Sequence, residues 1–449
     1  QNHFISHSHP FLKLIKDHIS GTEHDFSTLV QAAEDHHDDP HPKRKLRQQA
    51  WVELGIGDYK GLNVADRLWL RNVKYKMKTD EVAKILKYPR MIGDLGVAAS
   101  LQGFWITHLM KDGLAREPLV YKDGEMEFCA KPNPTDLERI FEKLRNPPGR
   151  YYFVYFSDDS CLSFRDDDGG VHMYNVDISK CDASHGPFLF KALEEITPDI
   201  MKDGMAKLVD QCMLPIKISS VNDPRQSVTL QPTRPRLYSG STITTLINNL
   251  ANLLICLAFV DQGRFNSDQD VISAAAKAGY IVTCETVDPN YPEDIQFLKH
   301  SPVRDSTGRW RAMLNLGVLL RSSGSCKGDL PGSKKESLES RARKFQGALL
   351  KGMYPRVEFQ LLDNLTQQTL TPEEKQIDKV SHQLYHKVVD QGDTFRVLDS
   401  SLYRRYRLTP SQIDTLNEGF GRGEFEESFA SDALETILEK DYGLKCQYV

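Results

Sequence analysis

No two of the eight cysteines stand at a CxxC spacing. Cys129, Cys161, Cys181, Cys212, Cys256, Cys284, Cys326 and Cys446 are dispersed. That excludes a zinc ribbon and a disulfide framework, and it describes reduced thiols in a cytosolic protein. There is no N-terminal signal pattern. The chain begins at Gln1 instead of Met, the start expected of a processed or trimmed product. The longest apolar stretch, Leu246 to Val260, is too short for a membrane span and is interrupted by Asn248, Asn249 and Asn252. No internal repeat is evident. A basic excess is lacking too: net charge is −5 and the sequence pI about 6.3. A generally basic nucleic-acid coat is excluded, and only a local basic channel remains open. What is present is ordinary for a globular protein, with 40% apolar and 27% charged residues. At 449 residues the chain is long enough for roughly three domains.

Tyr151 to Asp182 stands apart. Tyr151-Tyr152-Phe153-Val154-Tyr155-Phe156 is an apolar, aromatic strand pattern that stops at Ser157-Asp158-Asp159. Ser160 to Arg165 is a second strand pattern. Asp166-Asp167-Asp168-Gly169-Gly170 reads as an acidic turn. Val171 to Val176 is a third strand, ending on Asp177, with Asp182 beyond it. Asp177 and Asp182 are at an odd offset and would face opposite ways along one strand. The chain is therefore expected to leave the strand near Lys180, giving Asp177 and Asp182 separate jobs. Two carboxylates ~4 Å apart repel by roughly 1 kcal/mol in water and about 4 kcal/mol at an effective dielectric near 20. Gathering Asp158, Asp159 and Asp177 at strand tips therefore calls for divalent cations. Oxygen-only ligands favour Mg²⁺ or Mn²⁺ over zinc. Two such ions serve phosphoryl transfer by activating the attacking hydroxyl and stabilising the leaving group. The plainer alternative for each acidic group is a solvated β-turn. For Asp166 to Gly170 that alternative is preferred.

Elsewhere the charge is local. Residues 43–90 carry thirteen Lys/Arg against five Asp/Glu. Lys74, Lys76 and Lys78 alternate with Val73, Tyr75 and Met77, so an extended strand puts all three ammonium groups on one face. Lys84, Lys87 and Arg90 follow, and Pro89 makes the Arg90 segment extended. Such a ribbon grips phosphates, or else protects an edge strand. Residues 98–150 read as mainly helical, Thr135 to Arg145 most clearly. Residues 186–236 read as helices and then two strands, at Pro215 to Ile218 and Ser227 to Leu230. Ser239-Gly240 is a flexible lead-in to a helix running to about Ala258. Its Thr244, Asn248 and Asn252 form a polar stripe that needs partners, either a sugar and a carboxylate or neighbouring backbone. Then come a Ser267 to Lys277 helix, a strand at Tyr280 to Thr283, and a short strand at Ile295 to His300. Eight of fourteen histidines lie in residues 1–42, including His7, His9, His36, His37 and His41. No ligand set is tightly spaced, so a solvated helix and loop are preferred to a metal site. His382 and His386 are at helical spacing but lack a third ligand. The final hundred residues are helical in pattern.

Together these stretches resemble the palm and fingers motifs of viral RNA-dependent RNA polymerases. Asp177-x4-Asp182 resembles the first catalytic motif. Ser239-Gly240-x3-Thr244-x3-Asn248 matches the ribose-reading motif throughout. Tyr155-Phe156-Ser157-Asp158-Asp159 resembles the Asp-Asp hairpin, with Ser157 where Gly or Ala is expected. Lys87-Tyr88-Pro89-Arg90-Met91-Ile92 with Asp94-Leu95-Gly96 resembles the triphosphate-binding motif, and Phe297-Leu298-Lys299 the primer-grip strand. The resemblance covers roughly residues 74–303. The hairpin precedes Asp177, which is the permuted order of permutotetravirus and birnavirus polymerases.

The resemblance implies an α/β (α+β) right-hand fold. Its parts would be an N-terminal extension (1–42), fingers (43–150), palm (151–185), a fingers insertion (186–236), a second palm segment (237–303) and a helical thumb (304–449). It implies template-directed RNA synthesis with two Mg²⁺ or Mn²⁺ ions, NTPs, an RNA template and nascent RNA. Further viral replication proteins would be partners, and the setting host cytoplasm or virion. Asp158 and Asp177 would bind both metals, with Asp159 assisting. Asp182 and Asn248, with Ser239, Gly240 and Thr244, would read the ribose 2′-hydroxyl, which tells RNA from DNA. Arg90 and Lys87, with Lys76 and Lys78, would hold the triphosphate. Phe297, Leu298 and Lys299 would grip the primer. The family's general acid is a Lys in the loop after the Tyr280 strand. Glu285 and Asp288 stand there, so that role has no owner. The rivals are a reverse transcriptase or terminal nucleotidyltransferase, and a catalytically idle palm that only binds RNA.

Overall fold

The computed structural model describes residues 9–21, 45, 72–78, 88, 90–318, 335–337, 340–341, 395–421 and 432–443. Lys84, Lys87, His7, His36, His37, His41, His382 and His386 lie outside the described residues. Strands and helices are mixed, the α/β class expected. The chain forms two compact units that alternate along the sequence. The first takes Gln1–Ala130, Pro148–Gly170 and Val176–Glu285, and the second Lys131–Pro147, Val171–Asn175 and Thr286–Val449.

The larger sheet has six strands in the order β10-β7-β6-β5-β4-β3. They are β3 (Leu119–Val120), β4 (Gly124–Phe128), β5 (Tyr151–Phe156), β6 (Asp159–Arg165), β7 (Val171–Ile178) and β10 (Val282–Val287). β5 pairs antiparallel with β6 and parallel with β4. A strand covered on both faces reads as a continuous apolar run and does not alternate. That is why Tyr151, Tyr152, Phe153, Val154 and Tyr155 are all buried. Their phenols find partners: Tyr152 donates to Glu127 Oε1 at 2.7 Å and Tyr151 to the Tyr121 carbonyl at 2.6 Å. Asp166 to Gly170 is the acidic turn expected, with Asp166 Oδ1 accepting the Asp168 and Gly170 N–H groups and Gly169 at φ 81°.

The Thr244–Gln262 helix packs on β5 and is buried nearly all round. Phe164 meets its Phe259 at 5.5 Å between ring centroids. The helix overruns Ala258 and stops at Gly263, whose φ of 70° closes it. Its 19 residues are long and apolar enough to cross a membrane by length and composition, in contrast to the shorter run visible in the sequence. Of its apolar window 78% is buried inside the fold, so it serves as a core helix.

A smaller sheet in the first unit runs β2-β1-β8-β9, with β1 (Val73–Met77), β2 (Met91–Asp94), β8 (Ile216–Ser219) and β9 (Ser227–Leu230). The helix Gly96–Ala115 follows β2 directly. Residues 98–150 are less helical than the local pattern suggests. β3 and β4 lie there because pairing with β5 decides the conformation, which local propensity does not.

In the second unit the helix Pro134–Arg145 opens on an Asn133 capping box with Asp136. It packs on the hairpin of β11 (His300–Arg304) and β12 (Trp310–Leu314). Glu138 takes Arg311 Nε at 2.8 Å, and the Arg145 guanidinium lies 4.3 Å from the Trp310 ring centroid. A buried ion pair joins the helices Asp399–Tyr406 and Asp432–Tyr442: Arg405 to Asp441 at 2.8 Å. Tyr406 and the Gly317 N–H both donate to the other Asp441 oxygen at 2.8 Å. Leaving either charge buried without its partner would cost about 3–5 kcal/mol.

Candidate active site

Phe156 pairs with Asp159 across the β5–β6 hairpin, so the loop is only Ser157-Asp158. Ser157 sits at φ 54°, a left-handed conformation that costs an L-residue roughly 1–2 kcal/mol. Three asparagines of the Thr244–Gln262 helix hold it there. Asn249 Oδ1 accepts the Ser157 N–H at 2.6 Å. Asn252 Nδ2 donates to the Ser157 carbonyl at 2.5 Å. Asn248 Nδ2 donates to Ser157 Oγ at 3.2 Å. Offsets of one and four residues keep all three on one side of a helix turning 100° per residue. The turn is thus fixed from beneath, and Asp158 is exposed at its tip.

Next to the hairpin, Ser160 Oγ donates to the Val176 carbonyl at 3.3 Å. The Asp159 end of β6 and the Asp177 end of β7 therefore share one edge of the sheet. β7 stops at Ile178, Lys180 turns the chain at φ 47°, and Cys181–Ser184 forms a single helical turn carrying Asp182. This is the break expected between the two acids. Asn248 Nδ2 reaches across and donates to Asp182 Oδ1 at 3.0 Å. One buried amide thus ties the hairpin turn to the turn after the neighbouring strand.

Three of the acids raise the pKa of the Cys181 thiol. That thiol is pushed up by burial first, then by the negative charges of Asp158, Asp182 and Asp177. The Cys161 thiol is also pushed up, by burial and then by Asp159 and Glu285. Asp158, Asp177 and Asp182 therefore act electrostatically on one thiol, and Asp159 and Glu285 on another. Among the described residues, no three His, Cys, Asp or Glu side chains form a ready-made metal-binding group. The donors still suit a hard cation. Mg²⁺ is held by one or two carboxylates with substrate phosphates and waters, and seldom by a cage of protein ligands. Asp158 and Asp177 are exposed and supply oxygen only.

The ribose-motif residues separate into two groups. Asn248 meets Asp182. Ser239, Gly240 and Thr244 instead build the entry to the helix. The Gly93 N–H donates to the Ser239 carbonyl at 2.7 Å, and Thr244 Oγ1 donates to the Tyr238 carbonyl at 3.5 Å. Gly240 is less a flexible lead-in than a fitted one. Its φ is 99°, and a Cβ there would lie 2.4 Å from the Gly93 carbonyl oxygen. Strand β2 of the basic ribbon is therefore docked on the ribose motif. In that ribbon Lys74 and Lys76 are exposed and Lys78 half-buried. Lys76 pairs with Asp94 at 2.5 Å. Arg90 is exposed, and its carbonyl takes the Lys78 N–H at 2.8 Å.

Phe297, Leu298 and Lys299 belong to the second unit and form a turn, not the strand expected from the sequence. Leu298 and Lys299 have φ of 48° and 63°, and Phe297 and His300 exchange both backbone hydrogen bonds at 3.0 Å. Two successive left-handed residues mark a type I′ turn. Lys299 lies 4.7 Å from the Tyr442 ring centroid.

Sequence reasoning passed over Asn249, His185 and Tyr280. His185 is buried, with Nε2 2.6 Å from Asn248 Oδ1 and Nδ1 2.9 Å from the Tyr280 hydroxyl. Burial lowers its pKa, opposed by the Asn248 bond and the Asp182 charge. The paired Asn248-Asn249 in an apolar helix was the available signal, since buried amides need partners.

No family model matches the chain, and no curated protein matches it. Solved structures do. The RNA polymerase VP1 from Infectious Pancreatic Necrosis Virus is 12% identical with a TM-score of 0.46, over 92% of this chain and 54% of that one. The birnavirus VP1–VP3 complex gives 12% identity and a TM-score of 0.45, over 72% of this chain and 47% of that one. The chain thus spans about half the length of the solved structures it matches.

Proposed function

We propose that the chain is an RNA-dependent RNA polymerase with a right-hand fold and a permuted palm. The observation that carries the reading is the Asn248 amide. It donates at once to Ser157 of the Asp-Asp hairpin and to Asp182 of the Asp177-x4-Asp182 segment. Three motifs scattered along the sequence meet at one side chain. A solvated acidic turn would need no such clamp.

Asp158 and Asp177 would hold two Mg²⁺ or Mn²⁺ ions, which supply an activated RNA 3′-hydroxyl and stabilise the departing pyrophosphate. Asp182 would face the incoming ribose. Arg90 and Lys87, with Lys76 and Lys78, would bind the triphosphate of the NTP, Lys76 exchanging Asp94 for phosphate. Asp159, whose charge falls on Cys161 with that of Glu285, takes the lesser part. RNA template, nascent strand and NTPs are the partners, in the host cytoplasm or virion. Phe297, Leu298 and Lys299 would be the primer grip.

The test supplies purified protein with Mg²⁺ or Mn²⁺, an RNA template and either NTPs or dNTPs. Template-dependent NTP incorporation is expected, abolished in Asp158→Asn and in Asp177→Ala while RNA binding persists. Incorporation unaffected by both substitutions overturns the site. Incorporation of dNTPs in preference to NTPs, or salt-sensitive RNA binding with no incorporation, overturns the activity.

A further inference from the structure

We infer that Tyr280 and His185 are positioning residues for sugar selection: they fix the sense of the Asn248 amide, which in turn sets the Asp182 carboxylate that meets the ribose. The inference rests on the polymerase reading and goes beyond it by assigning the two residues behind the site.

The direction of every bond follows from the chemistry at Asp182. A carboxylate only accepts, so Asn248 must turn Nδ2 toward Asp182 Oδ1, at 3.0 Å. The same nitrogen donates to Ser157 Oγ at 3.2 Å. Asn248 Oδ1 then faces His185 at 2.6 Å and the Cys181 thiol at 3.4 Å. His185 must donate, so its proton is on Nε2. Burial disfavours the charged imidazole, and in the neutral ring the other nitrogen accepts from the Tyr280 hydroxyl at 2.9 Å. The chain of donation runs one way: Tyr280, His185, Asn248, Asp182. Each central member is buried: Asn248 is 1% exposed, His185 6% and Tyr280 5%.

The Asn248 amide has two donor hydrogens and two acceptor lone pairs. Here both donors and both lone pairs are engaged. No atom of Asn248 remains for a sugar hydroxyl. Asp182 is half-buried and gives only Oδ1 to Asn248, so Oδ2 is the atom that meets the 2′-hydroxyl. Asn248 therefore acts through Asp182. A flipped amide would point Oδ1 at a carboxylate and push Asp182 away. His185 resists that flip, because its proton would have to move to Nδ1 and the Tyr280 hydroxyl would have to turn from donor to acceptor before Nε2 could face an NH₂.

Single-nucleotide incorporation kinetics for matched NTP and dNTP test the relay. In His185→Phe, which keeps the ring but removes the donor, the NTP/dNTP ratio of kcat/KM should fall by about tenfold, with dNTP use retained. His185→Gln, which can still donate to Oδ1, should recover most of the ratio. Tyr280→Phe should lower it less. Parallel loss of NTP and dNTP efficiency, or no change of ratio in either Phe variant, overturns the inference. The tautomer of His185, read by ¹H–¹⁵N correlation in selectively labelled full-length protein, needs no polymerase activity. An Nε2–H tautomer supports the relay, and an Nδ1–H tautomer overturns it. A chain with the Nε2–H tautomer that incorporates no nucleotide would instead locate the failure in the polymerase reading.

Discussion

The hairpin turn gives the sharpest energetic prediction, because its strain and its restraints can be removed separately. Ser157→Gly relieves the left-handed φ, worth roughly 1–2 kcal/mol. It loses the Asn248 bond to Oγ, about 0.5–1.5 kcal/mol, and frees the unfolded chain by roughly 0.5–1 kcal/mol. These nearly cancel, so Ser157→Gly should leave stability within about 1 kcal/mol of the native chain. Asn252→Ala differs. It strips a 2.5 Å bond from the Ser157 carbonyl, between partners that are 9% and 1% exposed. An acceptor left buried and unsatisfied costs about 1–3 kcal/mol. Calorimetric melting should show Tm lowered by about 2–4 °C per kcal/mol in a unit of this size. Nucleotide incorporation should fall with it, because Asp158 at the tip loses its support, whereas Ser157→Gly should stay active. Asn249→Ala, which orphans the Ser157 N–H, should resemble Asn252→Ala. The double variant should fall short of the sum, since both act on one residue. The reasoning fails if Ser157→Gly is the more damaging substitution, or if Asn252→Ala melts with the native chain.

Two other perturbations have outcomes fixed by the geometry. Gly240→Ala puts a Cβ against the Gly93 carbonyl at φ 99°, a strain of about 1–3 kcal/mol, so Tm should fall and KM for NTP rise; an unchanged KM would separate β2 from nucleotide binding. His185 gives a pH dependence. Its folded pKa lies below the ordinary value of 6.5, so below 6.5 the unfolded chain binds the extra proton first. Its contribution to stability is complete above 6.5, is lost as pH falls toward the folded pKa, and is level below it. Melting at about pH 7.5 and about pH 5 should show a smaller loss in His185→Gln than in the native chain, and identical losses would show that His185 is not held neutral.

Much of this was legible because it is local. The aromatic run, the acids that stop it and the Asp166 to Gly170 turn are set by neighbours in sequence, and all three lie where the pattern puts them. The break near Lys180 followed from the odd offset between Asp177 and Asp182, though its left-handed φ did not. What the sequence concealed depends on contacts between distant segments. β3 and β4 look like parts of a helical region until β5 is there to pair with them. The Phe297 to His300 turn resembles a strand because its apolar residues are buried, yet two left-handed residues reverse the chain. Asn248 was expected to face a sugar and a carboxylate, and Asp182 is that carboxylate. The sequence did not show that His185, with Tyr280 behind it, faces the other side of the same amide.

The order of the segments along the chain explains how the helix bears so much of the arrangement. Asp158, Asp177 and Asp182 come from one continuous stretch of hairpin, strand and turn. The Thr244–Gln262 helix arrives from farther along the chain, and it brings all three asparagines. A slip of one residue would rotate them by 100° and release both Ser157 and Asp182. Close packing of a helix buried nearly all round, and the asparagine bonds themselves, resist that slip. Its ends add to that resistance. At one end Gly240 and Gly93 meet too closely to admit a side chain, and at the other Gly263 closes the last turn at φ 70°. The register of the asparagines, and with it the presentation of Asp158, is supported by a fitted glycine at either end of the helix as well as by the bonds to Ser157 and Asp182.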